Sequence, residues 1–122
     1  MAAVLYVDDE EAIRRALRSW LTRRGHVVYT AGSSAEARDV LMSHDIDGAF
    51  IDIWLSDGSG FEIYDWIARH DPRLAQRVVF ITGDILPSAD TQRQLDTAGR
   101  PVLTKPFDLA ALDRYVAEWG RA

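Results

Sequence analysis

The sequence contains no cysteine, no long hydrophobic run and no excess of positive charge. Without cysteine there are no disulfides, thiolate metal sites or cysteine nucleophiles, so stability must come from core packing, which suits a cytoplasmic protein. The longest apolar runs reach about six residues, against roughly 20 for a membrane-spanning helix. The formal net charge of -5 disfavours contact with nucleic acid or anionic lipid. We therefore expect no direct nucleic-acid partner and no membrane association.

What the sequence does contain is enough apolar surface for one domain. With 122 residues, 48% of them hydrophobic, the chain predicts a single domain over residues 1–122. Five short β-branched runs predict strands at Ala3 to Val7, Val27 to Thr30, Ala49 to Ile53, Val78 to Thr82 and Val102 to Thr104. Strands that alternate with helices indicate an α/β fold with a parallel sheet covered on both faces.

A stretch with helical periodicity follows each predicted strand. The first helix is the clearest, with apolar residues at Ile13, Ala16, Leu17, Trp20 and Leu21 and a stop at Gly25. The others are expected from Ser33 or Ser34 to His44, from Ser59 to Pro72, from Pro87 to Ala98, and after a cap at Asp108. The stretch from Pro87 to Ala98 has little to bury, and we expect it to be the loosest helix.

Polar residues collect at the carboxyl ends of the predicted strands, where ligand sites of open parallel sheets lie. They are Asp8, Asp9 and Glu10 after the first strand, Asp52 at the third, Thr82 and Gly83 at the fourth, and Lys105 at the fifth. Crowded carboxylates repel unless a cation compensates them, and Mg²⁺ prefers oxygen ligands. We therefore predict a Mg²⁺ site with Asp9 and Asp52 as direct ligands.

The same residues suit phosphoryl chemistry. A carboxylate such as Asp52 can attack phosphorus, while a fixed cation such as Lys105 neutralises charge on the transferred group. The Thr82 hydroxyl can donate a hydrogen bond to a phosphoryl oxygen.

Four motifs at the strand ends, VDDE, FIDIWLSDGSG, VFITGD and PVLTKPF, together resemble the receiver domain of two-component response regulators over essentially the whole chain. The resemblance implies a (βα)5 fold, a doubly wound three-layer sandwich with strand order 2-1-3-4-5. It implies Asp52 as phosphoacceptor, Asp9 as metal ligand with Asp8 supporting it, and the backbone carbonyl of Trp54 as a further ligand. It also implies a cis peptide bond between Lys105 and Pro106.

The resemblance further implies partners and a mode of action. The phosphoryl group would come from a phosphohistidine in a sensor histidine kinase or a histidine phosphotransfer protein, and the chain would act as a switch of protein interactions with an unknown downstream protein. It would catalyse only its own phosphorylation and slow autodephosphorylation. The phosphodonor commonly packs on the first helix, whose Arg14, Arg15 and Arg18 are either a solvated face or a docking surface for an acidic partner.

Two positions depart from the commonest receiver pattern. Val102 stands where many receivers carry an aromatic residue that swings inward, which leaves the output route open. Trp54 stands two residues after the phosphoacceptor, beside the path of an attacking water, and we expect it to slow hydrolysis together with Asp84.

Two other functions use similar residues. An aspartyl-phosphate phosphohydrolase would need Mg²⁺, lysine and threonine as well, but usually has a second aspartate at the position of Trp54. A pseudo-receiver scaffold would act without phosphorylation, against which the complete acidic and basic set argues.

Overall fold

The computed structural model describes residues 1–84 and 86–120. Its main sheet has five parallel strands: β1 (Ala3–Val7), β2 (Val27–Ala31), β3 (Gly48–Asp52), β6 (Val78–Thr82) and β7 (Val102–Thr104). Two further strands, β4 (Trp54–Leu55) and β5 (Gly58–Ser59), pair antiparallel as a small hairpin directly after β3. The hairpin was not predicted, because its two-residue strands are too short for a period-2 pattern.

The strand order in the main sheet is β2-β1-β3-β6-β7. Counted over these five strands alone, this is the predicted order 2-1-3-4-5. β3 is the central strand, and the strand order reverses direction between β1 and β3. The register pairs Val7 with Ile51 and Asp52 with Ile81, so that the carboxyl ends of β1, β3 and β6 lie side by side. The predicted fold class is therefore confirmed.

In the described part of the chain the helices are α1 (Glu11–Arg23), α2 (Ser34–Ser43), α3 (Gly60–His70), α4 (Pro72–Ala75) and α5 (Ala89–Ala98), and α6 (Ala110–Trp119) follows the last strand. Ser33 caps α2 by accepting from the Glu36 N–H, as its position predicted. The short α4 was not predicted. Asp71 caps it and Pro72 occupies its first turn, so the residues expected only to end α3 also begin the next helix.

The core has two layers, one on each face of the sheet. Side chains alternate along β1, so Leu5 and Val7 join the layer that includes α2 and α3, whereas Val4 and Tyr6 join the layer beneath α1 and α6. In the second layer the Trp119 rings lie directly against Gly48, leaving no room there for a β-carbon. The sheet is thus covered on both faces, as expected.

Several details of the helices differ from expectation. Ala16 is exposed and Trp20 is only half-buried, because the Trp20 indole turns to donate a hydrogen bond to Asp113 on α6. The α6 helix begins one residue later than predicted, with Leu109 at the cap position, although the Asp108 carboxylate still accepts from the Ala110 N–H. No helix among residues 1–84 and 86–120 is long and apolar enough to cross a membrane.

Candidate functional site

The strand ends bring the predicted polar residues together. Asp8 follows β1, Asp52 ends β3, Thr82 ends β6, and Lys105 follows β7. A backbone hydrogen bond joins Lys105 to Thr82: the Lys105 N–H donates to the Thr82 carbonyl at 2.7 Å. The peptide bond between Lys105 and Pro106 is cis, as the resemblance implied.

Lys105 lies at the centre of this cluster and is the only lysine in the sequence. Its Nζ is 2.9 Å from Asp52 Oδ2, 3.0 Å from Asp8 Oδ2 and 3.3 Å from Glu10 Oε1. Burial acts to lower the pKa of Lys105, but hydrogen bonds with Asp52 and Asp8 outweigh it and hold that pKa above its usual value. The ammonium is therefore a permanent positive charge between two buried carboxylates.

Asp52 is buried, and both of its carboxylate oxygens accept hydrogen bonds. Oδ1 accepts from the backbone N–H of Trp54 at 3.0 Å and Oδ2 from Lys105 at 2.9 Å. Burial raises the pKa of Asp52 above its usual value, although the hydrogen bonds from Lys105 and Trp54 act to lower it. The carboxylate is thus orientated by two donors in a site that penalises its negative charge, and further positive charge there is favourable.

Asp8 is fully buried and its carboxylate oxygens are also engaged. Oδ1 accepts from the Glu10 N–H at 2.9 Å, and Oδ2 accepts from both Lys105 and the Tyr6 hydroxyl, the latter at 3.1 Å. Burial raises the pKa of Tyr6 well above its usual value, and the negative charge of Asp8 raises it further. The phenol therefore stays protonated and donates a hydrogen bond. Sequence reasoning missed Tyr6, whose only signal is a hydroxyl two residues before Asp8 on the same side of the strand.

The acidic residues form a group that suits a divalent cation. Carboxylate oxygens of Asp8, Asp9 and Asp52 all lie within 4.8 Å of one another. Asp9 is exposed, and within the described part of the chain its side chain makes no hydrogen bond or ion pair. Clustered carboxylate oxygens are the hard ligands that Mg²⁺ prefers.

A side-chain hydrogen bond joins the segments that follow two neighbouring strands of the site. The Trp54 indole Nε1 donates to Asp84 Oδ2 at 2.9 Å, joining the residues after β3 to the loop after β6. The Asp84 N–H in turn donates to the Thr82 hydroxyl oxygen at 3.0 Å. Trp54 remains half-exposed, so the bridge lies at the surface beside Asp52 rather than within the core.

The hairpin beside Asp52 is held from two sides. Gly60 donates its N–H to the Ile53 carbonyl, and a β-carbon at Gly60 would overlap the backbone carbonyl of Asp52. The Asp57 carboxylate accepts hydrogen bonds from the N–H groups of Ser34 and Ala35 at the start of α2. The bond from Ser34 is the main cause that lowers the pKa of Asp57 below its usual value. Sequence reasoning assigned no role to Gly60 or Asp57.

Arg14 differs from the other arginines of α1. Its Nη1 donates to the Asp8 carbonyl at 2.7 Å, and its guanidinium lies against Gly32. Arg15 and Arg18 are exposed. Arg14 therefore supports the end of β1, and only Arg15 and Arg18 fit the predicted choice between a solvated face and a docking surface.

The sequence matches the family model of the response regulator receiver domain over residues 4–117. The chain is 33% identical over 117 residues to the transcriptional regulatory protein KdpE of Mycobacterium tuberculosis, covering 96% of this chain and 49% of KdpE. It is 35% identical over 114 residues to the response regulator protein PilR of Pseudomonas aeruginosa, covering 93% of this chain and 25% of PilR. The chain thus spans half or less of these relatives.

The fold is also similar to that of solved structures. A CheY-like response regulator receiver domain protein from Methanospirillum hungatei superposes with a TM-score of 0.85 at 24% identity. The match covers 97% of this chain and 92% of that one. This similarity supports the doubly wound architecture.

Proposed function

The chain belongs to the response regulator receiver domain family, and we propose that it takes up a phosphoryl group on Asp52 and thereby switches its protein partners. Receiver domains of response regulators are signalling switches, so the chemistry at Asp52 serves to change an interaction rather than to release a product. The observation that carries the proposal is the buried Asp52 carboxylate, which Lys105 and the Trp54 N–H orientate at the carboxyl edge of the sheet.

The transfer step uses these residues directly. A carboxylate oxygen of Asp52 attacks the phosphorus of a phosphohistidine, an O–P bond forms and the P–N bond breaks. The imidazole leaves with the bonding electron pair and takes up a proton. Lys105 supplies positive charge to the transferred group, and the Thr82 hydroxyl, which already accepts from Asp84, keeps its own proton to donate to a phosphoryl oxygen.

The acidic group fits Mg²⁺. Asp9 and Asp52 would hold the ion directly, with the Trp54 backbone carbonyl as a third protein ligand and Asp8 in support. When bound, the ion compensates negative charge on the phosphoryl oxygens. The exposed Asp9 and the desolvated Asp52 both favour this arrangement.

A sensor histidine kinase or a histidine phosphotransfer protein is the proposed phosphodonor. An apolar groove of about 600 Å³ runs beside Lys105 between α1 and the start of α6, with Ile13, Ala16 and Phe107 in its lining. A helix of the donor that packed there would bring its phosphohistidine to Asp52. The formal net charge of -5 supports a downstream protein rather than direct nucleic acid as the target.

A second groove, which Thr82 helps to line, is the proposed surface for the downstream protein. A groove of about 470 Å³ lies between α5 and β7 and includes Thr82, Asp84, Leu95 and Val102 in its lining. Because Val102 is too small to act as an aromatic rotor, we propose that phosphorylation alters this groove through Thr82 and the loop that follows it.

Mass spectrometry of the intact protein tests the proposal. With acetyl phosphate and Mg²⁺ we expect a gain of one phosphoryl group, which is absent without Mg²⁺ and in Asp52→Asn. Asp39→Asn is the control, since it removes an exposed carboxylate of α2. A protein that folds but gains no phosphoryl group would favour the scaffold alternative, and rapid continuous consumption of acetyl phosphate would favour a phosphohydrolase.

Trp54 is expected to lengthen the life of the phosphoryl group. Its hydrogen bond to Asp84 restrains the indole beside the site, where we expect it to restrict the access of water to Asp52. Trp54→Asn should therefore raise the dephosphorylation rate about tenfold, equivalent to roughly 1.4 kcal/mol in barrier. Loss of phosphoprotein with time is the measurement. The control Trp66→Phe removes an indole that stacks on His70. An unchanged rate in Trp54→Asn would remove this role.

A further inference from the structure

Tyr6 places a hydroxyl where core packing alone does not require one. It is fully buried in the layer beneath α1 and α6, and its ring centroid lies 6.3 Å from that of Phe50. Phenylalanine would fill nearly the same volume without a polar atom to satisfy. The hydroxyl instead reaches along β1 and donates to Asp8 Oδ2 at 3.1 Å.

Asp8 shares that oxygen between two donors. Lys105 Nζ lies 3.0 Å from the same Oδ2, while the other oxygen accepts from the Glu10 N–H at 2.9 Å. A buried carboxylate with fewer donors attracts its remaining cation more strongly, because less of its charge is compensated. The Tyr6 hydroxyl therefore limits how strongly Asp8 attracts positive charge.

We propose that Tyr6 is a positioning residue that acts through Asp8: its hydroxyl satisfies part of the Asp8 carboxylate, which leaves Lys105 shared with Asp52 and keeps Asp8 from direct contact with the metal ion. The proposal rests on the proposed function in assigning a cation site to the acidic group. It deepens that function by explaining why Asp9 and Asp52 hold the ion while the neighbouring Asp8 supports them.

The consequence concerns both cations of the site. Without the Tyr6 hydroxyl, Asp8 depends on Lys105 for its compensation, so the ammonium moves toward Asp8 and away from Asp52. The acidic group as a whole carries more uncompensated charge, and its attraction for Mg²⁺ increases. Tyr6 thus reduces metal affinity in favour of a lysine available to Asp52.

Tyr6→Phe tests this with two measurements that need no phosphodonor. Because Lys105 is the only lysine, isotope-labelled lysine gives one side-chain ammonium signal by NMR in the metal-free protein. We expect that signal to shift in Tyr6→Phe. Titration calorimetry should show that Mg²⁺ binds to Tyr6→Phe about threefold to tenfold more tightly than to the wild-type protein. This change in binding free energy is a fraction of what a hydrogen bond to a charged group contributes.

Tyr115→Phe is the matched control. Tyr115 packs against the same core layer, with its ring 6.3 Å from that of Phe50, and its hydroxyl makes no hydrogen bond to Asp8 among the residues that the structure describes. Both measurements should remain at the wild-type values in this variant. Urea unfolding shows that each variant is folded under the conditions of the titration.

A double variant separates action through Asp8 from a general effect on the core. In the background of Asp8→Asn, adding Tyr6→Phe should leave Mg²⁺ affinity unchanged. An unchanged or weaker affinity in Tyr6→Phe alone, an unmoved ammonium signal, or a further change in the double variant would each overturn the proposal. Failure of phosphorylation in the wild-type protein would instead overturn the proposed function, which these measurements leave untouched.

Discussion

Lys105→Met is expected to slow phosphorylation of Asp52 by about a hundredfold or more, the usual loss when a preorganised charge is removed from an active site. The side chain keeps its length and loses the ammonium that lies 2.9 Å from Asp52 and 3.0 Å from Asp8. Two buried carboxylates then share a site without a protein cation, and the transferred group loses its fixed positive neighbour. Initial rates of mass gain with acetyl phosphate measure the effect.

The same variant should also be less stable at neutral pH, by about 2 kcal/mol, since it removes one partner from a largely buried ion pair. Because the pKa of Lys105 is raised in the folded protein, the stability that its charge contributes depends on pH. That stabilisation is fully present below the usual lysine pKa of about 10.4 and is lost as the pH rises through the folded-state pKa. Urea unfolding at pH 7 measures the loss.

Arg15→Met is the matched control for Lys105→Met. It removes the same unit charge from an exposed residue of α1, whose partner Glu11 is also exposed at 3.9 Å. Surface pairs of this kind contribute little, so both stability and phosphorylation should change only slightly. Phosphorylation of Lys105→Met at a rate equal to that of Arg15→Met would contradict the role given to the lysine.

Gly60→Ala is expected to destabilise the protein by about 2 kcal/mol or more and to reduce phosphorylation. The new β-carbon would overlap the backbone carbonyl oxygen of Asp52 and approach Ile51 Cγ2 to 2.9 Å. Alanine gains about 1 kcal/mol in helix propensity at the start of α3, but this gain is smaller than the cost of displacing buried backbone. Urea unfolding and the mass gain with acetyl phosphate give the two readouts.

Gly83→Ala supplies the comparison for stability. Apart from its neighbours in the chain, no described residue has an atom within 4 Å of a β-carbon added there, and its backbone is not in the left-handed region. We expect its unfolding free energy to stay close to that of the wild-type protein. Equal stability of the two alanine variants would show that Gly60 does not contact the backbone of Asp52 as described.

The main sheet was predictable because its strands are nearly continuous apolar runs. β3 and β6 are buried on both faces, so each reads as a β-branched or aromatic segment that ends at a polar residue. Asp52 and Thr82 were identified for the same reason: a polar residue at the end of a buried run is conspicuous. The register of the strands then brings them to one edge.

What the sequence did not reveal are contacts between residues that are distant along the chain or ordinary in type. Asp57 reads as a turn residue, and only the folded chain places it against the N-terminus of α2. In the sequence, Arg14 and Arg15 look alike. They differ in the folded chain because Arg14 reaches the backbone carbonyl of Asp8 and donates a hydrogen bond to it. Tyr6 reads as one more residue of β1, since a strand pattern shows its side but not the partner of its hydroxyl.

The most direct test of the central claim is to locate the phosphoryl group. Borohydride reduces an acyl phosphate to an alcohol, so the phosphorylated protein treated with borohydride should yield homoserine in place of one aspartate. Peptide mass spectrometry should find that homoserine at position 52. Homoserine at Asp8, Asp9 or Asp57 instead, with position 52 unmodified, would contradict the account.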